Sequence, residues 1–251
     1  MGINKTPKSI LIKKLYFCQT YKIFTMTIDM KPDVQIDTHY YKVLQIRTLT
    51  EHAFILSLPV SRFKFIAGQH ISLSVPGDYQ SREYSIYSAE EGENLEILVK
   101  EVDGGYFSPK LKHLKVGDMV EIHGPFGKFG LDEKHIDNHK HVFIASGTGI
   151  APFHSIVKSR PGLDYQLIHG VRYLNEAYEH DAYEKSRYVL CTSRDSQGDF
   201  EGRLTRYLKN IDFDKNTSFY LCGNSDMIFD SMEILREKGF GRESINVEVY
   251  F

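Results

Sequence analysis

The chain has 251 residues, of which 41% are hydrophobic and 25% charged, and its formal net charge is −2. This composition is ordinary for a soluble globular protein, and the length allows two compact domains. The near-neutral charge gives no indication of nucleic acid or of an anionic membrane as a partner.

The three cysteines, Cys18, Cys191 and Cys222, have no paired spacing. A disulfide framework is therefore not expected, which favours a reducing compartment, and we predict a cytoplasmic protein. Three cysteines also cannot supply the four thiolates of a plant-type iron–sulfur centre. We therefore expect no such cluster in this chain.

Residues 1–35 differ in charge from the rest of the chain. They contain six lysines and two aspartates, a net charge of +4, which leaves −6 for residues 36–251. The apolar run at residues 10–12 is interrupted by Lys13 and Lys14, so it is too short for a signal sequence or a membrane span. We predict a weakly structured basic tail over residues 1–35.

Residues 40–130 contain short segments of alternating apolar and polar residues, separated by glycine, proline and aspartate. Six such segments with turn signals between them predict a small antiparallel β-barrel. The segments are Tyr41–Arg47, Ala53–Val60, His70–Val75, Arg82–Ser88, Leu95–Val102 and Met119–His123.

The fourth segment carries three polar residues that a strand does not need, Arg82, Tyr84 and Ser85. An arginine fork suits a pyrophosphate, and a tyrosine offers a ring for stacking and a hydroxyl for a sugar or phosphate oxygen. A neighbouring serine can donate a hydrogen bond to a ring nitrogen. Together they indicate a flavin nucleotide lying along the strand. The alternative is an amphipathic strand whose polar residues face water.

Between the fifth and sixth segments, Gly104–Leu111 predicts a tight turn that leads into a short helix. Ser108 is a favourable N-cap, and Pro109 suits the first helical position. The charged stretch Leu131–Lys140, which comes after the sixth segment, is the predicted domain boundary. We therefore expect one domain over residues 36–135 and another over residues 136–251.

Three histidines, His135, His139 and His141, lie at this boundary and could together bind a metal ion. No cysteine or ordered acidic ligand completes a coordination geometry. We predict a solvated linker and no metal site.

After residue 135 the pattern changes to apolar runs typical of buried parallel strands, with helical patterns between most of them. Strands that alternate with helices predict a doubly wound parallel sheet. The last helix is expected to begin at the cap Ser225 and to stop at Lys238-Gly239. The predicted strands are His141–Ala145, Tyr165–His169, Tyr188–Thr192, Ser218–Cys222 and Ile245–Val249.

The first of these strands leads into Gly147-Thr148-Gly149 and then a helix. Glycines let the backbone approach a pyrophosphate, and the helix N-terminus offers free N–H groups. The usual third glycine of a dinucleotide fingerprint is missing, and Pro152 follows Ala151, so a glycine turn without function is the alternative.

Cys222 ends another parallel strand and is expected to point into the same crevice as this turn, because ligands sit at the carboxyl ends of such strands. The alternative is a small buried cysteine that packs the strand end.

Three arginines and a serine follow strand ends in this domain: Arg172, Ser193, Arg194 and Arg203. Near one adenosine they favour a 2′-phosphate, and hence NADPH. Asp195 leaves the other cofactor open, because an acid can instead bind the ribose hydroxyls of NADH. Surface salt bridges are the plain alternative for the arginines.

Six motifs in this order resemble the ferredoxin/flavodoxin–NADP+ reductase family over about residues 40–251. The resemblance implies an antiparallel Greek-key FAD-binding β-barrel followed by a doubly wound parallel-sheet NAD(P)-binding domain. The motifs are Arg82-x-Tyr84-Ser85, Gly105-x-x-Ser108, Gly124-Pro125-Phe126-Gly127, Gly147-Thr148-Gly149-x-Ala151-Pro152, Cys222-Gly223 and Val247-Glu248-Val249-Tyr250.

For the FAD, the resemblance implies that Arg82 and Tyr84 hold the pyrophosphate and flank the flavin, and that Ser85 faces flavin N5. Gly105 to Ser108 looks like the turn and helix start at the FAD phosphates. Phe251 departs from the plant-type pattern, which stops at the tyrosine, and is similar to bacterial members in which an extra aromatic residue stacks on the adenine of a bent FAD.

For the nicotinamide dinucleotide, Gly147 to Pro152 resembles the phosphate-binding turn, and Cys222 is similar to the cysteine that meets the nicotinamide ring. Glu248 matches a glutamate used for proton handling. Tyr250 matches the aromatic residue that covers the flavin and must tilt away.

The resemblance predicts an enzyme that passes hydride from NADPH to FAD and single electrons onward to ferredoxin or flavodoxin. One alternative is the NADH-dependent reductase component of an oxygenase. Another is a non-catalytic electron-transfer or sensor subunit. In each case we expect a monomer without a nucleic-acid partner or membrane span.

Overall fold

The structure is a computed structural model that describes residues 39–60, 63–132, 136 and 139–250. The predicted basic tail and Phe251 lie outside the described residues. The first domain contains one short helix, α1 (Ser108–Lys112), and seven strands. These are β1 (His39–Lys42), β2 (Gln45–Thr50), β3 (Ala53–Pro59), β4 (His70–Ser74), β5 (Ser81–Ser85), β6 (Asn94–Lys100) and β7 (Met119–Phe126).

The seven strands form two antiparallel sheets with the orders β1-β7-β4-β5 and β2-β3-β6. A bridge between Ile86 and Ile97 joins the sheets, and buried side chains such as Leu56 and Leu73 fill the space between them. Alternate side chains of β3 and β6, such as Leu58 and Ile97, point into this core. The antiparallel barrel that the sequence predicts for the first domain is therefore confirmed as a fold.

The predicted strand Tyr41–Arg47 is in fact two strands, because its halves pair with different sheets. β1 pairs with β7, whereas β2 pairs with β3. Between them the Val43 N–H donates to Asp118 O and the Leu44 N–H to Ser57 O. The chain crosses from one sheet to the other at these two residues.

The second domain is a six-stranded parallel sheet with the order β11-β10-β9-β8-β12-β13. It confirms the predicted α/β fold, although only 3-10 turns, and no α-helix, connect β9 to β10. The helices are α2 (Ala151–Ser159), α3 (Leu204–Lys209) and α4 (Ser225–Glu237). The strands are β8 (Lys140–Ser146), β9 (Tyr165–Val171), β10 (Tyr188–Thr192), β11 (Phe200–Glu201), β12 (Thr217–Asn224) and β13 (Ile245–Tyr250).

Two predicted helix caps are wrong by one residue. The N-cap of α4 is Asn224, whose side-chain oxygen accepts from the N–H groups of Asp226 and Met227. Ser108 is the first residue of α1 and not its cap. Its hydroxyl accepts from the Val102 N–H at 2.9 Å and so ties the helix to the preceding turn.

Polar contacts fix the barrel against the α/β domain. Tyr87 stacks face to face on His154 of α2, with ring centroids 3.7 Å apart. The Glu179 carboxylate accepts from the Tyr87 hydroxyl and from Arg47, each at 2.7 Å. Burial lowers the pKa of His154 to about 4, so the stacked imidazole is neutral at ordinary pH. These contacts join the two domains.

No helix in the part of the chain that the structure describes has the length and apolar content needed to cross a membrane.

Candidate active site

A cavity of about 1170 Å³ lies on the barrel side of the cleft. It is larger than the roughly 300–1,000 Å³ that holds a drug-sized ligand. The structure brings all of the described residues that we predicted for FAD to its wall. These are Arg82, Tyr84, Ser85, Gly105, Ser108 and Tyr250.

Strand β5 presents the first three of these residues. Arg82 is exposed, and its guanidinium donates to Ser81 O at 2.8 Å and to Gln80 Oε1 at 3.1 Å. Tyr84 is half-buried, and burial raises the pKa of its phenol to about 12, so the hydroxyl remains a donor at ordinary pH. The strand therefore offers a cation and a neutral hydroxyl to the cavity.

A chain of polar groups crosses from β5 to β13 at the floor of the cavity. The Tyr250 hydroxyl donates to Ser85 Oγ at 2.7 Å, and Ser85 Oγ lies 3.5 Å from Glu248 Oε2. Strand β13 pairs with β12 and places Glu248 opposite Cys222 in register. The last described strand of the α/β domain thus completes a site on the barrel.

Burial raises the pKa of the Glu248 carboxyl above its ordinary value, and His70 opposes this shift. His70 Nδ1 lies 3.3 Å from Glu248 Oε1, and His70 Nε2 lies 3.9 Å from Glu83 Oε2. Gly127 packs so closely that an added Cβ would lie 2.9 Å from His70 Nδ1. The site therefore places a carboxyl and an imidazole side by side next to Ser85.

Sequence reasoning missed His70 as a site residue. Its position becomes visible only from the register of β4 and β5, in which His70 faces Ser85.

Cys222 is fully buried and lies on the wall of neither cavity, contrary to the expectation that it would point into the crevice. The thiol neighbours Tyr250, which does line both cavities. Burial and the neighbouring Glu248 raise the pKa of the thiol well above its ordinary value, so it stays protonated.

A second cavity of about 580 Å³ opens at the carboxyl ends of the parallel strands. Of the residues predicted for the nicotinamide dinucleotide, its wall includes Gly147, Thr148, Arg172, Ser193 and Arg203. Gly147 has a φ of +53°, and an added Cβ would meet nothing within 4 Å. The turn therefore faces open space, as a phosphate-binding turn requires.

Three other predicted residues do not line this cavity: Gly149, Pro152 and Arg194. Gly149 packs against β12, where an added Cβ would lie 2.3 Å from Cys222 O. Pro152 is buried in the first turn of α2, and the Arg194 N–H donates to Arg172 O. In this structure the three residues stabilise the turns around the cavity but do not line the cavity itself.

His169 is a buried residue that sequence reasoning also missed. Its Nε2 lies 2.9 Å from Gly147 O, and its Nδ1 lies 2.8 Å from the Tyr188 hydroxyl. Burial lowers the pKa of His169 to about 4. The neutral ring can therefore donate to the glycine turn while it accepts from the tyrosine.

The described residues include no group of three or more histidine, cysteine or acidic side chains that could hold a metal ion. Of the three boundary histidines, His135 lies outside the described residues. His139 Nδ1 lies 2.9 Å from Ser218 Oγ, and His141 Nε2 lies 3.3 Å from Ile136 O.

Comparisons with known proteins agree with this geometry. An oxidoreductase FAD-binding domain matches residues 42–130, and an oxidoreductase NAD-binding domain matches residues 143–232. A ferredoxin–NADP+ reductase from Neisseria gonorrhoeae, solved with FAD and NADP, has the same fold with a TM-score of 0.78 at 24% identity. That match covers 85% of this chain and 99% of the other.

Curated relatives include two reductase components of oxygenases. The toluate 1,2-dioxygenase electron transfer component of Pseudomonas putida is 30% identical over 78% of this chain and 63% of its own length. The propane 2-monooxygenase reductase component of Mycolicibacterium smegmatis is 31% identical over 66% of this chain and 53% of its own length. The chain thus spans between about half and two thirds of these two relatives.

A flavodoxin/ferredoxin–NADP reductase of Shigella flexneri is 28% identical over 76% of this chain and 86% of its own length. Together, the two domain matches, the order of the domains and the shared fold lead to one conclusion. The chain belongs to the ferredoxin–NADP+ reductase family of FAD- and NAD(P)-binding oxidoreductases.

Proposed function

We propose that this protein passes hydride from NADPH to FAD and delivers single electrons to a ferredoxin or flavodoxin. The observation that carries the proposal is the polar chain Tyr250–Ser85–Glu248 at the place where the two cavities meet. Tyr250 lines both cavities, so a flavin in one and a nicotinamide in the other would meet at its ring.

The residues present fit FAD. The first cavity has the size for a dinucleotide, an exposed arginine for a pyrophosphate and a neutral tyrosine for a flavin or ribose oxygen. Arg82 and Tyr84 would hold the cofactor, and Ser85 would donate to a flavin ring nitrogen. When bound, FAD supplies the step between a two-electron donor and one-electron acceptors.

Ser85 and Glu248 would handle the proton that accompanies this chemistry. Ser85 Oγ is placed to pass a proton to Glu248 Oε2. The raised pKa of Glu248 lets its carboxyl hold that proton nearer to neutral pH than an exposed glutamate could. Tyr250 occupies the place that a nicotinamide ring would need, so its ring must move, and the movement would uncover the Cys222 thiol.

The second cavity supports NADPH rather than NADH. Arg203 and Ser193 line it and could bind a 2′-phosphate, and three acidic residues, Glu176, Asp226 and Asp230, line it as well. The Asp195 carboxylate accepts from the N–H groups of Leu174 and Gln197. It is thus held by its own loops instead of being offered to ribose hydroxyls.

The test is to purify the protein and compare NADPH with NADH. We expect a yellow protein that reduces ferricyanide with a higher kcat/KM for NADPH, and a preference that falls roughly tenfold in Arg203→Ala. Arg194→Ala serves as the matched control, because Arg194 does not line the second cavity and should leave the ratio unchanged. A colourless protein that cannot bind FAD would contradict the proposal.

The oxygenase-reductase relatives favour a second candidate, the reductase component of an oxygenase with NADH as donor. The two candidates differ in the cofactor ratio and in the acceptor. Titration of the NADPH-reduced protein with ferredoxins and flavodoxins separates them. Preference for NADH, together with electron transfer only to an oxygenase or its own ferredoxin, would favour the second candidate.

A further inference from the structure

Three charged residues meet at the junction between the two cavities. Lys100 comes from the end of β6 in the barrel, whereas Arg172 and Glu176 follow β9 in the α/β domain. All three line both cavities. They share this junction with Thr148 and Tyr250, so a dinucleotide that reaches from the second cavity into the first lies close to them.

The Glu176 carboxylate holds both cations. Its Oε1 accepts from Lys100 Nζ at 2.7 Å and lies 3.7 Å from Arg172 Nη2. Its Oε2 accepts from the Arg172 N–H at 3.0 Å. Glu176 therefore connects the two domains as well as the two cations.

Glu176 remains ionised in this position. Burial opposes ionisation, but the Lys100 ammonium and the Arg172 N–H outweigh it and keep the pKa of the carboxyl below its ordinary value. Its side chain is 17% exposed, against 29% for Lys100 and 52% for Arg172. The carboxylate is thus the most buried of the three groups, and Arg172 is the group most open to a ligand.

This arrangement creates a conflict with the ligand that the proposed function requires. The phosphates of a nicotinamide dinucleotide bind best to cations such as these two. Both cations are already paired with Glu176, and a phosphate placed beside them would also meet a negative charge. Either Glu176 must turn away, or the phosphates must bind less tightly.

We propose that Glu176 is a positioning residue that holds Lys100 and Arg172 until the phosphates of the dinucleotide displace it. It thereby weakens nucleotide binding and speeds nucleotide release. This inference rests on the proposed function, because it assumes that a nicotinamide dinucleotide occupies the second cavity. In this proposal, nucleotide affinity is controlled by the Glu176 carboxylate and not by a cation.

The test is the Kd of NADP+ and of NAD+ for the FAD-loaded protein, measured by calorimetry and by the change in flavin absorbance. In Glu176→Gln we expect the Kd of at least one dinucleotide to fall roughly fivefold, as for the loss of a partly exposed ion pair. The same variant should unfold at a lower temperature, because Glu176 joins the domains. Substitution of a residue with only a structural role would weaken dinucleotide binding and lower the unfolding temperature together.

Glu179→Gln is the matched control. Glu179 also joins the domains, through Arg47 and Tyr87, but lines neither cavity. It should lower the unfolding temperature without tightening either dinucleotide. A second control, Asp230→Asn, removes an exposed carboxylate that lines the second cavity, and measures the effect of charge alone.

A double variant asks whether Glu176 acts through Lys100. In the Lys100→Met background, Glu176→Gln should tighten the dinucleotide less than it does in the wild type, because only the Arg172 contacts are left to release. Unchanged or weaker binding in Glu176→Gln, or equal tightening in Asp230→Asn, overturns the inference while the proposed function stands. If neither dinucleotide binds the wild-type protein, both fail.

Discussion

The two cavities are built in different ways. The first takes its polar groups from side chains on barrel strands, above all Arg82, Tyr84 and Ser85 of β5. The second takes them from turns that follow parallel strands, where the shape of the backbone decides what faces the cavity. Ligand binding in the first cavity should therefore depend on particular side chains. Ligand binding in the second cavity should depend on how closely the turns can pack.

The largest expected effect is on the second cavity. In Gly149→Ala, the new Cβ would lie 2.3 Å from Cys222 O, so the turn must move away from β12. We expect a loss of about 3 kcal/mol in the free energy of unfolding and the loss of NADP+ binding, measured by denaturant titration and calorimetry. Gly162→Ala is the control, since an added Cβ there meets nothing within 4 Å.

On the barrel side, Arg82→Ala should remove one charge-assisted contact and leave the fold intact. We expect the Kd of FAD to rise roughly 30-fold, or about 2 kcal/mol, measured from the fluorescence of released FAD. The Kd of NADP+ for protein kept saturated with FAD should not change. An equal rise in the Kd of FAD and the Kd of NADP+ would show that the two cavities do not bind their ligands independently.

A smaller effect should separate binding from chemistry within the first cavity. Ser85→Ala keeps the strand and the FAD contacts of Arg82 but breaks the link between Tyr250 and Glu248. We expect FAD to stay bound and hydride transfer, followed by stopped-flow absorbance, to slow roughly tenfold. Ser72→Ala changes another serine on the same cavity wall and should have little effect. Normal transfer in Ser85→Ala would make the serine purely structural.

The smallest effect concerns the charge of Glu248 and can be measured without any cofactor. Burial is the main cause of its raised pKa, His70 lowers it, and Glu83 raises it. The pKa of Glu248, followed by NMR titration of its labelled carboxyl, should therefore rise in His70→Gln and fall in Glu83→Gln. Shifts of the same sign in both variants would contradict the assigned geometry.

The same raised pKa affects stability in a fixed direction. A carboxyl whose folded pKa lies above its unfolded pKa stabilises the fold at low pH and loses that contribution as the pH rises through the folded pKa. The wild type should therefore lose some stability as the pH rises from the ordinary glutamate pKa, about 4.5, through the raised value. Glu248→Gln should remove this part of the pH dependence.

Much of the fold follows from local patterns. Alternation along the barrel strands and apolar runs in the second domain were sufficient to predict both domains, because burial on one face or on two leaves a direct mark on the sequence. The break between β1 and β2 was missed, although the sequence carries a mark of it. The alternation of residues 41–47 changes phase at the adjacent apolar residues Val43 and Leu44, and there the chain passes from one sheet to the other.

The candidate site was predictable to the extent that its residues lie in contiguous motifs. Arg82, Tyr84 and Ser85 share one strand, and Gly147 and Thr148 share one turn, so the sequence brings them together by itself. His70 and Glu176 belong to no such motif. Each becomes part of a site only through a partner distant in the chain: Glu248 for His70, and Lys100 for Glu176.

The sequence by itself therefore determined the two domains, their order and a set of side chains that face the two cavities, because these depend on neighbours along the chain. The tertiary structure decided the state of those side chains. It covers Cys222 with Tyr250, couples Glu248 to His70, and pairs Lys100 and Arg172 with Glu176. Ionisation and access depend on burial and on charges that distant segments bring close, and these are fixed only when the barrel and the parallel sheet pack together.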